Sequence, residues 1–182
     1  MNKRSTLVHM GLAVLLMLLA VGVTYADDDA FYFDAALGRA EVDNQIAGVF
    51  LEDDSFAARF GVGYDLGNNI ALEAAYVNLG EVTSDLFGGL NDARTDGLTL
   101  AARFTVPLGN SLRASARLGG FFWDAELDTP GGQFINEGED LFYGVGLTFD
   151  ASRRVSVTAH WDRFEFGDSD ADALWAGLRF RF

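Results

Sequence analysis

Seven ionisable residues stand singly among small and apolar neighbours: Asp34, Arg59, Glu73, Arg103, Arg117, His160 and Asp162. Set on one interior face, charges of a single sign would be untenable, so acids and arginines placed this way are expected to pair with one another. The chemistry open to such a set is an interior ion-pair network, acting either as a plug or as a gate. A second chemistry is nucleophilic. Apart from His9, the one histidine is His160, within Ala159-His-Trp-Asp162. A hydrolytic triad needs a serine in hydrogen-bond reach of the ring and an acid to orient it. Asp162 fits the second role, but Ser156 lies four residues away along the chain, roughly 13 Å at strand rise. Ser115 would have to reach it from another segment. A lone histidine so placed reads as a structural hydrogen-bonding group, and no enzyme activity or catalytic residue is expected. A third chemistry is cation binding, by Glu52-Asp-Asp54, Glu137-Gly-Glu-Asp140 and Asp168-Ser-Asp-Ala-Asp172. The last resembles the start of an EF-hand loop but lacks its glycine and closing glutamate. These runs read as solvated, mutually repelling tips, and neither a metal nor a cofactor is assigned.

The elements that carry these residues alternate with a period of two. Eight segments do so: residues 31 to 42, 56 to 66, 69 to 79, 98 to 108, 112 to 127, 141 to 150, 155 to 166 and 173 to 182. Period two puts successive side chains on opposite faces of a strand. In the second segment Phe56, Ala58, Phe60, Val62, Tyr64 and Leu66 oppose Ala57, Arg59, Gly61, Gly63 and Asp65. The minor face is too small and glycine-rich for a water-facing surface, yet it suits a narrow lumen, while the continuous apolar face suits hydrocarbon. Charges on the apolar parity, at Arg39, Glu41, Asp124, Arg163 and Glu165, cluster toward one end of their strands. Connections alternate in length. Tight turns at Gly67-Asn68, Gly109-Asn110-Ser111 and Ser152-Arg153 alternate with long acidic stretches around residues 43 to 55, 80 to 97 and 128 to 140. Long loops at one end and short turns at the other are the pattern of an up-and-down transmembrane barrel.

Both ends of the chain agree. Lys3 and Arg4 precede an apolar and glycine run from Met10 to Val23, followed by Thr24-Tyr25-Ala26. This reads as a cleavable signal peptide over residues 1–26, leaving one domain over residues 27–182. Setting aside Lys3 and Arg4, eleven arginines face 27 acids, a net charge of −16 for residues 27–182. Nucleic acid is excluded as a partner, because phosphate binding needs a basic surface. The chain has no cysteine, so neither disulfides nor thiolate metal sites are available. At the other end Leu174, Ala176, Leu178, Phe180 and Phe182 oppose a face carrying Arg179 and Arg181, as in a last barrel strand with lipid outside and a polar lumen inside.

Three stretches carry a family resemblance: Gly61 to Gly80, Leu98 to Leu108, and Arg117 to Ala125. In order and spacing the chain resembles the OmpA-type transmembrane barrel domain. The resemblance implies an eight-stranded antiparallel up-and-down barrel with both termini in the periplasm. It does not extend to the peptidoglycan-binding domain that many members carry, so cell-wall tethering is not carried over. It matches Glu73 to the family's lumen glutamate, and Arg103 and Arg117 to its basic positions. Where the family has an acid and an arginine on the next two strands, this chain has Thr148 and Thr158. The resemblance also makes Phe180 and Phe182 the signal read by the barrel-assembly machinery.

The expected protein is therefore a monomeric outer-membrane barrel with a mainly structural, envelope-integrity role. Its lumen is plugged by the ion-pair network, and its partners are outer-membrane lipid, lipopolysaccharide and the assembly machinery. A narrow solute or ion channel, or a surface adhesin or receptor acting through the loops, are the alternatives. Divalent cations bridging the loop acids to lipopolysaccharide phosphates are a subsidiary expectation.

Overall fold

The computed structural model describes residues 30–46, 49–51, 54–84, 91–129, 132–166 and 169–182. The expected leader, residues 1–26, lies outside them. Nine strands form: β1 (Phe31–Ile46), β2 (Val49–Leu51), β3 (Asp54–Gly67), β4 (Ile70–Ser84), β5 (Asn91–Pro107), β6 (Leu112–Thr129), β7 (Gly132–Asp150), β8 (Val155–Phe166) and β9 (Ser169–Arg181). Short β2 pairs only with the far end of β1. The other eight pair antiparallel with their sequence neighbours, and β9 returns to β1 over Tyr32–Asp43, closing the sheet. The eight-stranded up-and-down barrel read from the periodicity is the fold observed. Closure pairs each spanning strand on both sides within the barrel wall, while among the described residues β2 and the far end of β7, Gly132 to Leu141, keep an open side.

The barrel's stagger follows from its registers. Stepping across paired residues from Phe31 through Tyr64, Leu72, Ala102, Leu118, Tyr143, Arg163 and Asp172 returns to β1 at Glu41, ten residues beyond the start. Eight strands with that stagger tilt roughly 40° from the barrel axis and leave a lumen only wide enough for side chains.

Face assignment follows the predicted parity. Phe60, Leu100, Phe104, Leu118, Val145, Leu147 and Leu178 point outward and are exposed. Asp34, Arg59, Glu73, Arg103, Arg117, His160 and Asp162 point inward and are buried. The tight turns lie together at one end. Gly67, Asn68 and Asn69 take positive φ of 77°, 53° and 67° between β3 and β4, a conformation that glycine and asparagine adopt at least cost.

Strand lengths depart from the sequence reading. The stretches expected as long loops are partly ladder: β4 continues to Ser84, β5 starts at Asn91, β6 reaches Thr129 and β7 starts at Gly132. Alternation reports a strand only while its two faces meet different surroundings. Beyond the apolar belt both faces can meet water, so pairing continues without the pattern that reveals it.

Candidate functional site: the packed lumen

Three layers fill the lumen. At the short-turn mouth, Arg113 of β6 pairs with Asp150 of β7, Arg181 of β9 lies 3.4 Å from the same carboxylate, and Ser156 of β8 donates to it at 2.6 Å. These arginine and aspartate side chains retain 14 to 24% exposure, so the mouth is wet.

Above it lies the ionic layer, with Glu73 of β4 as its hub. Arg103 Nε is 3.0 Å from Glu73 Oε1, Arg179 Nη2 is 3.1 Å from the same oxygen, and Arg59 and Arg117 approach Oε2 at 3.5 and 3.7 Å. Asp34 of β1 pairs with Arg59 and, at 3.1 Å, with Arg179. Arg117 Nη2 donates to both oxygens of Asp162, at 2.7 and 2.8 Å. Tyr32 completes the hub by donating its hydroxyl to Glu73 at 2.7 Å. Its ring carries guanidiniums of Arg179 and Arg103 at 4.3 and 5.0 Å from its centre, a cation–π arrangement that favours desolvated arginine.

The topmost layer is apolar. Phe121, Phe142 and Phe164, from β6, β7 and β8, meet ring to ring, with centroids 4.8 Å apart for Phe121 and Phe164 and 5.5 Å for Phe142 and Phe164. Val77, Leu79, Ala171, Ala173 and Trp175 pack with them and are fully buried or nearly so.

Glycine makes room for the largest of these groups. Tyr32 faces Gly63, Trp175 faces Gly38, Asp162 faces Gly144 and His160 faces Gly146 across their strand pairs. A Cβ on Gly63 would collide with the Tyr32 ring, and one on Gly144 with the Asp162 carboxylate. Glycine on the inward face thus has a steric cause at these four pairs: the large side chain lies over a facing residue that has none.

Six of the seven residues singled out by spacing meet in the ionic layer. His160 is the exception, and its place in the network needs correcting. Among the described residues it makes no ion pair, because Arg117 occupies both oxygens of Asp162 and leaves no carboxylate for the imidazole. Nor does a triad assemble there: Ser156 donates to Asp150, and His160 Nε2 has no hydrogen-bond partner. Sequence reasoning passed over Arg179 and Tyr32, although both stand on the inward parity of their strands. It also passed over the aromatic cap. Thr148 and Thr158, which stand where the resemblance expects opposite charges, are paired directly across β7 and β8 and are both buried.

Beyond the ionic layer, at the long-loop end, Arg163 bridges Asp170 at 2.7 Å and Asp172 at 3.4 Å. Among the described residues no group of three or more histidine or acid side chains is placed to hold a metal. The acids Glu52, Asp53 and Asp168 lie outside those residues, and the Asp54 side chain is not described.

The sequence profile of a family described as outer membrane protein beta-barrel domain matches residues 11–182. No curated protein matches the chain in sequence. Several solved barrels share its fold. Neisserial surface protein A superposes with a TM-score of 0.71 at 15% identity, over 86% of this chain and all of that one. Ail of Yersinia pestis, solved with the heparin analogue sucrose octasulfate, gives 0.65 at 15% identity over 86% of this chain and all of its own. The N-terminal barrel domain of Pseudomonas aeruginosa OprF gives 0.64 at 16% identity over the same shares.

Proposed function

The chain belongs to the outer membrane protein beta-barrel domain family, and from that premise we propose that it is a sealed, mainly structural barrel of the outer membrane rather than a pore. The observation that carries this reading is the pair of stacked seals inside an eight-stranded lumen. Four guanidiniums and three carboxylates fill its middle, and a ring of phenylalanines fills the level above. A hydrated ion would have to displace both. Purified protein in planar bilayers is expected to give no stable unitary conductance. A reproducible conductance that Glu73→Ala abolishes would overturn the sealed reading and favour the channel.

The outward face supplies the membrane anchor in this proposal. Leu118 stands near the middle of the apolar belt and is 61% exposed. Leu118→Arg is expected to cost roughly 2–4 kcal/mol of unfolding free energy in lipid vesicles, the price of an arginine near mid-depth. An unchanged urea midpoint in lipid would mean that this face does not meet hydrocarbon.

The remaining partners belong to the same proposal. Phe180 and Phe182 point outward at the short-turn end of β9, where the barrel-assembly machinery would read them. Removing Phe182 is expected to reduce the amount inserted in cells several-fold, while leaving the unfolding midpoint of refolded protein nearly unchanged. Equal insertion would remove its role as a signal. Lipid and lipopolysaccharide surround a monomer whose spanning strands are paired on both sides within the barrel wall. Residues 1–26 would direct export as a signal peptide and then be removed. A loop-borne adhesin or receptor is a weaker reading. A sulfated sugar like that bound by Ail would meet loops rich in acids, with the whole chain at −14, so like charge opposes that ligand here. No hydrolytic role is proposed.

A further inference from the structure

We propose that the lumen holds one small monovalent anion, of the halide class, against the inner face of β8 and β9. Two independent observations lead there. The first is charge. Among the described residues Arg59, Arg103, Arg117 and Arg179 are buried with Asp34, Glu73 and Asp162, so the buried guanidiniums outnumber the buried carboxylates by one, and His160 brings no negative charge. At the wet mouth Arg113 and Arg181 share Asp150. Buried charge without a counter-charge is the costly arrangement, and an anion drawn from solution corrects it.

The second observation is a set of unpartnered polar atoms, three of them obligate donors. Arg179 Nε and Nη1, Trp175 Nε1, Thr158 Oγ1 and His160 Nε2 are buried and lack hydrogen-bond partners. All lie on one inner face: His160 faces Trp175 across the β8–β9 pair, Thr158 faces Gly177, and Arg179 follows two residues on, so Thr158 is the nearest of them to Arg179 and Trp175 lies roughly 13 Å along the strand. The arginine and tryptophan nitrogens can only donate. A water there could donate to Thr158 or His160 and accept from the arginine, but it brings no charge to offset the extra guanidinium. A halide accepts from every side and donates nothing. It matches both the sign of the surplus and the polarity of the unpaired atoms.

The short-turn mouth, with its partly exposed side chains, is the nearer opening. Its two arginines favour anions entering, and the phenylalanine cap closes the other end. The site thus lies inward of the mouth of a strongly acidic protein. It goes beyond the sealed-barrel proposal, because a conducting lumen would hold the same anion.

The experiment measures urea unfolding of the detergent-purified protein in sodium bromide, sodium chloride and sodium gluconate at equal ionic strength, alongside anomalous diffraction from crystals grown in bromide. Halide is expected to raise the midpoint saturably, by roughly 1 M urea once the site is filled, and one bromide peak is expected beside Arg179 and Thr158. Thr158→Val, a near-isosteric change that keeps every charge, should weaken the halide response. Arg179→Met should abolish it if that variant folds. Equal midpoints in halide and gluconate, or crystals with water alone beside Arg179, would overturn the assignment.

Discussion

Glu73→Ala is expected to lower the unfolding free energy of the barrel by about 3–5 kcal/mol, the usual cost of removing one partner from a buried charge cluster. The size follows from the hub geometry. Glu73 is 5% exposed, lies within 3.7 Å of four arginines and accepts the Tyr32 hydroxyl. Without it, four guanidiniums would share Asp34 and Asp162, in a lumen too narrow to hydrate them fully. The measurement is the urea midpoint in micelles, with folding checked by the shift in gel mobility between heated and unheated samples. Glu73→Gln is the informative companion. It keeps the volume and an acceptor for Tyr32 but removes the charge, so a loss close to that of alanine would assign the effect to electrostatics. A change below about 1 kcal/mol in both variants would mean that the arginines are stabilised by water and that the hub carries little of the fold.

Trp175→Ala is expected to cost a comparable amount, about 3–5 kcal/mol, for a different reason. Trp175 is 1% exposed and lies over Gly38 at the boundary between the ionic layer and the phenylalanine cap. Its removal leaves a void that a closed sheet cannot collapse to fill, since the strands are locked to their neighbours on both sides. Trp175→Phe should recover most of the loss. Planar-bilayer recordings of Trp175→Ala should remain silent, because Phe121, Phe142 and Phe164 still meet above the hub. A small loss of stability would show that the lumen repacks around the gap. A pore opened by this one change would locate the seal at Trp175.

Individual residues show where sequence reading succeeded and where it failed. Arg59, Glu73, Arg103 and Arg117 were legible as lumen residues because each breaks an alternation of strongly apolar and very small side chains. Phe121, Phe142 and Phe164 were not. Phe121 and Phe142 adjoin aromatic or apolar outward neighbours, at Phe122 and at Leu141 and Tyr143, while Phe164 stands between Arg163 and Glu165, where the outward face itself turns polar. The contrast that marks a face is lost at such places. Arg179 was visible on the right parity, but its partners Asp34 and Glu73 lie 145 and 106 residues away. Nothing local announces that distance.

The sequence by itself determined the number of spanning strands, their order, their tight turns and which side chains face in. Each of these depends on a period of two or on a few consecutive residues. Only the tertiary structure decided which inward residues share a level. That depends on the ten-residue stagger accumulated around eight strand pairs, a property of no single strand. The stagger stacks the mouth, the ionic hub and the aromatic cap in that order, gathers four arginines on Glu73, and leaves His160 and Thr158 beside Arg179 without partners.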